Sequence, residues 1–440
     1  MSATGNEANI LPLGAQLPPW SIIPFVLLLL AIAVLPLVAP GWWEKNRNKA
    51  LISLVLGLPM LLWIGTLEAH AVLHTLHEYF AFIILLGALF VISGGIVIRG
   101  KLAGSPEVNV GILACGAVLA SVIGTTGASM LLIRPLLRAN EVRQRKAHVV
   151  VFFIFLVSNI GGLLTPLGDP PLFLGFLRGV PFFWTLHLIP EWAAISGVLL
   201  LLFYLIDVNV FRREDIATPG DLDEQVRAGD TKLEIAGKLN FVWLAGVVLT
   251  IILCGYLQSP AGVQEACMLL LAGLSLASTT PSLRRENTFS WGPILEVAVV
   301  FAGIFATMVP ALAILNAKGA ALGLSEPWQF FWASGGLSSF LDNAPTYLVF
   351  SSVASGLAGT DANLLHQLIA TPRGTALLSA VSLGSVCMGA NTYIGNGPNF
   401  MVKAIAEQAG IKMPGFFGYM AYSVGILIPI FVAVTIIFVR

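Results

Sequence analysis

Charged residues are scarce in this chain, and their scarcity restricts the class of protein. Asp, Glu, Lys and Arg make up 10% of the 440 residues, whereas hydrophobic residues make up 57%. A soluble globular domain carries about 25% charged residues, because polar groups must cover its surface. The formal net charge is zero, so no excess of one sign indicates nucleic acid or an acidic partner. The composition predicts a polytopic membrane protein.

Cysteine and N-terminal basic residues are also scarce. The four cysteines, Cys115, Cys254, Cys267 and Cys387, fall inside apolar runs without metal-type or disulfide-type spacing. They are interpreted as small lipophilic side chains. The tail 1–20 carries one acidic residue and no basic one, so it lacks the basic region of a secretory signal. We therefore expect the first apolar segment to be retained as a span.

Long apolar runs dominate the rest of the chain. Runs of about 17 to 25 apolar residues are long enough to cross a bilayer as helices. The predicted spans are 21–39, 50–67, 79–98, 147–177, 185–207, 239–257, 263–280, 291–316, 373–409 and 416–439. Two further apolar stretches, 107–138 and 326–356, contain the polar sequences GTTGAS and LDNAPT.

The basic residues predict an orientation, because short cytoplasmic loops concentrate Lys and Arg. With the N-terminus outside, all 23 basic residues except Arg178, Lys318, Arg373 and Arg440 fall on the inner side. This distribution of basic residues requires 107–138 to enter the membrane from the cytoplasm and return to it. It likewise requires 326–356 to enter from outside and return outside. Both stretches are predicted to be re-entrant hairpins of a cell (inner) membrane protein.

The chain contains a weak internal repeat. Residues 162–173 align without gaps with 389–400, with five identities and with Asp169 opposite Asn396. A hairpin precedes each aligned segment, and the two segments cross the membrane in opposite directions. The predicted fold is therefore all-α, with about ten spans, two re-entrant hairpins and two inverted repeats, 21–210 and 239–440. The hydrophilic stretch 211–238 is predicted to be a cytoplasmic linker.

Both aligned segments interrupt a span with glycine and proline, and such breaks indicate a binding site. Irregular backbone persists at membrane depth only where it is buried in protein or lines a polar cavity. Proline removes an N–H and frees carbonyl oxygens that suit Na⁺, and the start of a half-helix favours negative charge. The polar candidates in the breaks and at the hairpin tips are Asp169, Asn391, Thr392, Asn396, Thr125, Thr126, Asp342, Asn343 and Thr346. The alternative role for the two aspartates is a cap at the start of a half-helix.

Other ionisable residues suggest different chemistry. His70, His74 and His77 lie on one helical face, as in a metal site or a hydrolase centre. Their place between two predicted spans favours an external interfacial helix or a pH-modulating patch, and we expect no enzyme. Glu296 is interpreted either as a proton relay or as a near-surface acid facing Arg284 or Arg285. His148 is expected at the surface.

The sequences GTTGASMLLIRPLL, SNIGGLLTPLGDPP and LDNAPT resemble the ion transporter superfamily. That group includes NhaD-type sodium/proton antiporters, arsenite-permease-like proteins, citrate transporters and divalent anion/sodium symporters. The resemblance implies a homodimer in which a transport part moves like an elevator against a scaffold. It adds Ser158, Asn159 and Thr165 to the candidate site. The Na⁺ ligands expected from both arguments are Asp169, Asp342, Asn343, Thr165, Asn391 and Thr392, and no cofactor is expected.

Two transport functions remain open. Sodium/proton antiport requires a carboxylate that holds either cation, and Asp169 and Asp342 offer one in each half. The alternative is a Na⁺- or H⁺-coupled symporter of citrate or a dicarboxylate. No intramembrane Lys or Arg is available to hold a di- or tricarboxylate, and an acid near the hairpin tip would repel one, which counts against an organic anion. It does not exclude one, because hydroxyls, amides and half-helix starts also bind carboxylates.

Overall fold

The computed structural model describes residues 13–43, 45–100, 102–217, 234–257, 259–287 and 289–439. Residues 1–12 of the predicted tail and residues 218–233 of the predicted linker lie outside this described part.

The described residues are almost entirely helical. The helices of eight or more residues are α1 Ile23–Val38, α2 Asn46–Leu67, α3 Ala69–Ser93, α4 Pro106–Ile123, α5 Thr125–Ala139, α6 Ala147–Leu156, α7 Pro170–Leu177, α8 Ile189–Ala217, α9 Leu239–Tyr256, α10 Val263–Ser278, α11 Gly292–Lys318, α12 Pro327–Ser338, α13 Asn343–Ala358, α14 Pro372–Cys387, α15 Gly397–Gln408 and α16 Phe416–Phe438. Short helical turns cover Leu13–Gln16, Pro19–Ile22, Pro40–Trp43, Ile160–Leu164, Trp184–Leu188, Pro281–Glu286, Gly319–Leu322, Leu365–Leu368 and Met388–Asn391. Strand β1 (Val97–Arg99) pairs antiparallel with β2 (Glu234–Ala236).

Ten stretches of the described chain are long and apolar enough to cross a membrane. Nine of them overlap predicted spans, which confirms a nearly all-helical chain with about ten membrane-spanning candidates. The tenth is Pro106–Ile123, one arm of the first predicted hairpin. The predicted span 263–280 instead forms α10, whose 16 residues fall short of the length of the other candidates.

His70, His74 and His77, predicted to lie on an external interfacial helix or in a pH-modulating patch, are helical and belong to the same helix as the predicted span 79–98. Helix α3 begins at Ala69, directly after the end of α2, so the histidines lie in its first turns. Four residues after His74, Glu78 is buried and accepts hydrogen bonds from Arg178 at 2.8 and 3.1 Å. A partner distant in sequence thus compensates the charge of Glu78 in the part of α3 that precedes the predicted span.

The two interrupted spans lie at the centre of the molecule. The window Ala147–Leu164 is 89% buried and Pro372–Asn391 is 78% buried, against 22% for Asn46–Leu67. Each consists of a long helix, a short 3-10 turn and a half-helix, namely α6 and α7 in the first and α14 and α15 in the second. Because protein surrounds both irregular segments, their free backbone groups find partners without water.

Candidate ion-binding site

Two helical hairpins bring their tips to the interrupted spans. The first consists of α4 and α5, joined at Gly124, whose φ of +82° a residue with a side chain rarely adopts. The backbone N–H of Thr125 at this tip donates to the carbonyl of Gly168 at 2.8 Å. The second consists of α12 and α13, with Asp342 immediately before α13. The tips and the breaks therefore meet in the interior.

Asp169 lies at this meeting point and is 1% exposed. Thr125 Oγ1 donates to its Oδ1 at 3.0 Å, and Asn343 Nδ2 donates to its Oδ2 at 2.7 Å. Asn396 Nδ2, from the second break, lies 3.3 Å from Oδ1. Both hairpin tips and both breaks thus contribute to one carboxylate environment. A buried carboxylate needs such donors, because nothing else replaces its lost hydration.

A network of amides and hydroxyls surrounds the aspartate. Asn396 Nδ2 also lies 3.1 Å from the carbonyl of Ser158 and 3.3 Å from Asn159 Oδ1. Asn159 Nδ2 donates to Asn399 Oδ1 at 2.7 Å, and the hydroxyls of Ser158 and Ser129 are 2.8 Å apart. The structure therefore places Ser158, Asn159 and Asn396 beside Asp169.

Thr165 and Thr392 occupy equivalent positions away from that carboxylate. The Thr165 hydroxyl donates to the backbone carbonyl of Ser121, and the Thr392 hydroxyl donates to that of Ser339. The Ser121 hydroxyl donates to the Gly161 carbonyl. The Ser339 hydroxyl oxygen lies 3.2 Å from the Met388 carbonyl and 2.8 Å from the carbonyl of Gly335 in its own helix. The same pair of contacts joins tip to break in each half.

Asn391 contains an unpaired oxygen. Its Nδ2 donates to Ser339 Oγ at 2.9 Å, whereas its buried Oδ1 has no hydrogen-bond partner among the described residues. An amide oxygen without a partner suits a hard monovalent cation. This contact set fits the predicted role of Asn391 as a cation ligand in the second half.

Asp342 combines a capping contact with exposure to a cavity. Its Oδ1 accepts from the backbone N–H of Ala344 at 3.1 Å, as a helix cap does. Thr346, a candidate ligand, donates instead to the Asp342 backbone carbonyl at 3.1 Å. Asp342 also lines a cavity of about 480 Å³ together with Thr125, Thr126 and Asn396. The capping role and a ligand role are therefore compatible.

The cavity wall also carries an ion pair that the sequence did not reveal. Lys49, in the first turn of α2, contacts Glu296 Oε1 at 2.6 Å, and both residues line the cavity. The prediction that Glu296 faces Arg284 or Arg285 was therefore wrong. Lys49 lies one residue before the predicted span 50–67 and belongs to the same helix, α2.

A second buried polar cluster lies outside the cavity lining. Asp207 accepts from Arg143 at 2.6 and 3.0 Å, from Asn109 at 3.0 Å, and contacts His148 Nε2 at 2.7 Å. His148 is 8% exposed, so its predicted surface position was wrong. The cluster ties α8 to the first hairpin and the first interrupted span. In the described residues, no group of three or more His, Cys, Asp or Glu side chains could hold a metal ion.

The glycines of the breaks allow two backbone segments to cross. A Cβ on Gly168 would lie 2.1 Å from the carbonyl oxygen of Gly162, and one on Gly395 would lie 2.5 Å from that of Gly389. Real Cβ atoms do not approach a carbonyl this closely. Both halves therefore require glycine at the same position of the break.

We expect Gly168→Ala to destabilise the protein by about 1 to 3 kcal/mol, because the added methyl group displaces the backbone around Asp169. Thermal unfolding of the detergent-solubilised protein measures the loss. Gly336→Ala is the control, since no described atom lies within 4 Å of a Cβ on this exposed helical glycine. It should be neutral or slightly stabilising. Equal transition temperatures for the two variants would contradict the close crossing.

The fold and the interrupted helices define a multi-pass membrane transporter. The family described as "Putative citrate transport" matches residues 14–439, and the chain belongs to this family. The chain is also similar to uncharacterized transporters from Mycobacterium bovis and Mycobacterium tuberculosis. Each is 26% identical over 328 residues, which cover 70% of this chain and 71% of the relative.

Proposed function

We propose that this transporter exchanges Na⁺ for H⁺ and that Asp169 is the group on which the two cations compete. The observation that carries the proposal is the environment of this carboxylate, which is 1% exposed and held by Thr125, Asn343 and Asn396. Intramembrane carboxylates are costly and are characteristic of ion pathways. One carboxylate that binds either cation couples their movements, because loading one expels the other.

The surrounding side chains supply what each loaded state needs. In the Na⁺ state, the Asp169 carboxylate and the Thr125 hydroxyl oxygen coordinate the cation. The amides of Asn343 and Asn396 turn their oxygens toward it, a rotation that leaves the side-chain shape nearly unchanged. In the H⁺ state, a proton on Oδ1 is donated to the Thr125 hydroxyl oxygen, which turns to accept it. Asn343 Nδ2 keeps its contact with Oδ2.

In this proposal, alternating access depends on the internal repeat, because the two halves can exchange their conformations. The contacts of Ser121 with Thr165 and of Ser339 with Thr392 are equivalent in the two halves, which supports the inverted repeat and the re-entrant hairpins. We propose an elevator movement of hairpins and interrupted helices against a scaffold that forms a homodimer. The orientation follows the basic residues, with the N-terminus outside an inner membrane.

A second candidate function is Na⁺- or H⁺-coupled uptake of citrate or a dicarboxylate. The cavity volume of about 480 Å³ favours it, since sites for small organic molecules begin near 300 Å³. The half-helices α7 and α15 begin at Pro170 and Gly397, and both residues line this cavity. The start of a helix carries partial positive charge and therefore favours an anion. The family description points to the same cargo.

Purified protein in liposomes containing a pH-sensitive dye distinguishes the two functions. We expect an inward Na⁺ gradient to move protons outward without any organic anion. Choline chloride replaces NaCl in the matched control and should produce no flux. Proton or Na⁺ movement that begins only when citrate or a dicarboxylate is added would establish the symporter and exclude the exchanger.

A further inference from the structure

The ion pair of Lys49 and Glu296 occupies a place on the cavity wall that neither the break residues nor the tip residues account for. Lys49 lies in the first turn of α2, and Glu296 lies within the first two turns of α11. Asp342, Thr125 and Asn396 line the same cavity from the hairpin tips and the second break. A solute moving between these helix starts and Asp342 therefore passes the ion pair.

The two members of the pair differ in what they offer to that solute. The Lys49 side chain is 3% exposed and its ammonium group lies 5.6 Å from the centre of the Trp43 ring. Glu296 is 50% exposed, and Lys49 contacts its Oε1. The lysine is thus buried and shielded, whereas half of the Glu296 side-chain surface is exposed. A cation at the cavity mouth meets the carboxylate first.

We propose that Glu296 is a receiving site for a monovalent cation at the mouth of the cavity, and that Lys49 limits how tightly this site holds it. The inference rests on the proposed function, because it takes the cation to be the transported species. Glu296 alone would concentrate cations and retain them. Lys49, at 2.6 Å, offsets the negative charge of Glu296, so the pair has no net charge. The site then binds a cation weakly, and the cation can leave it toward the hairpin tips.

Charge-neutralising variants test the receiving site. In everted membrane vesicles, Na⁺ added outside meets the predicted cytoplasmic face, where α2 and α11 begin. We expect Glu296→Gln to raise the KM for Na⁺ roughly three-fold, because the variant loses one negative charge on the cavity wall. Lys49→Met should lower KM by a similar factor. The double variant should return to the wild-type KM, and kcat should stay constant in all three.

Salt separates this electrostatic role from a structural one. Added choline chloride screens exposed charges over about 10 Å at 0.1 M, so it should shrink both KM shifts. A packing defect would not respond to salt. If KM for Na⁺ is the same in Glu296→Gln, Lys49→Met and wild type, the receiving site does not exist.

The chain offers a matched control pair outside the cavity lining. Arg99 on β1 and Glu286 in a short helix form an exposed ion pair at 2.8 Å. The hydrogen bond from Arg99 holds the pKa of Glu286 below its usual value, which favours the charged form of this carboxylate. Glu286→Gln and Arg99→Gln change the net charge equally and should leave KM unchanged. Equal KM shifts in both pairs would show a general surface effect and would overturn the proposal.

The direction of the shifts also tests the function itself. If the cargo is an organic anion, Glu296→Gln lowers and Lys49→Met raises the KM for that anion. Glu286→Gln and Arg99→Gln leave this KM unchanged. That result would retain the pair as a charge-selective element of the cavity and would reject both Na⁺/H⁺ exchange and the cation receiving site. The absence of any shift would reject the receiving site alone.

Discussion

Asp169→Asn is expected to abolish Na⁺-dependent proton flux while the protein still inserts and folds. The amide has the shape of the carboxylate but lacks its charge and cannot release a proton. Loss of the charge removes at least about 3 kcal/mol of cation binding at an effective dielectric constant of about 20, which is a loss of roughly 100-fold or more. Flux in proteoliposomes and direct binding of ²²Na⁺ to purified protein measure the two consequences.

The control for Asp169 is an aspartate outside the site. Asp361 is exposed and caps a turn through the backbone N–H of Asn363. Asp361→Asn should therefore retain full exchange. Asp342→Asn should lose exchange if the second half holds a cation as the first does. Retention of full exchange by both Asp169→Asn and Asp342→Asn would remove the coupling role proposed for these residues.

Asp207→Asn is expected to have the largest effect on stability. It leaves the guanidinium of Arg143, whose side chain is fully buried, without its closest carboxylate. Removal of one partner from a buried ion pair costs about 3 to 5 kcal/mol. Glu214, at 3.5 Å from Arg143 Nε, is the remaining carboxylate beside the guanidinium and is farther away than Asp207. The measurement is the thermal unfolding transition of the protein in detergent, with the Na⁺ concentration held constant.

A double variant distinguishes the lost ion pair from a lost shape. Arg143→Met in the Asp207→Asn background removes the charge that lost its closest partner, so the double variant should be less destabilised than the sum of the single variants. The exposed pair of Arg99 and Glu286 again provides the comparison, since Glu286→Gln should leave the unfolding transition nearly unchanged. Additive losses at Asp207 and Arg143 would show that their charges do not interact.

The backbone of the site could be predicted because it depends on local sequence. Pro166, Pro170 and Pro171 cannot continue a helix, and the structure ends α6 at Leu156 and begins α7 at Pro170. The hairpin tips follow from polar groups inside apolar runs. Length and hydropathy predicted nine of the ten span candidates. They failed at α10, which is too short to count as one, and at α4, which was predicted to be a hairpin arm but is long and apolar enough to span.

The missed features depend on partners distant in sequence. His148 and Asp207 are 59 residues apart, and Lys49 and Glu296 are 247 apart. No local sequence pattern indicates that a charged residue has a partner so distant in sequence. Each of these residues is therefore predicted to lie at the surface. Ser121 and Ser339 were missed for another reason. Their signal is an equal offset from the two hairpin tips, which emerges only when the tips are aligned together with the breaks.

The serine and threonine contacts between each tip and its break limit how the site can open. Lifting the first tip alone would separate the Thr165 hydroxyl from the Ser121 carbonyl, the Ser121 hydroxyl from the Gly161 carbonyl, and the Thr125 N–H from the Gly168 carbonyl. Each broken hydrogen bond in a buried place leaves groups that cost about 1 to 3 kcal/mol. Sliding tip and break together breaks none of them. Within the proposed elevator movement, we therefore expect tip and break to move together as one unit, so that water reaches Asp169 when this unit changes its depth.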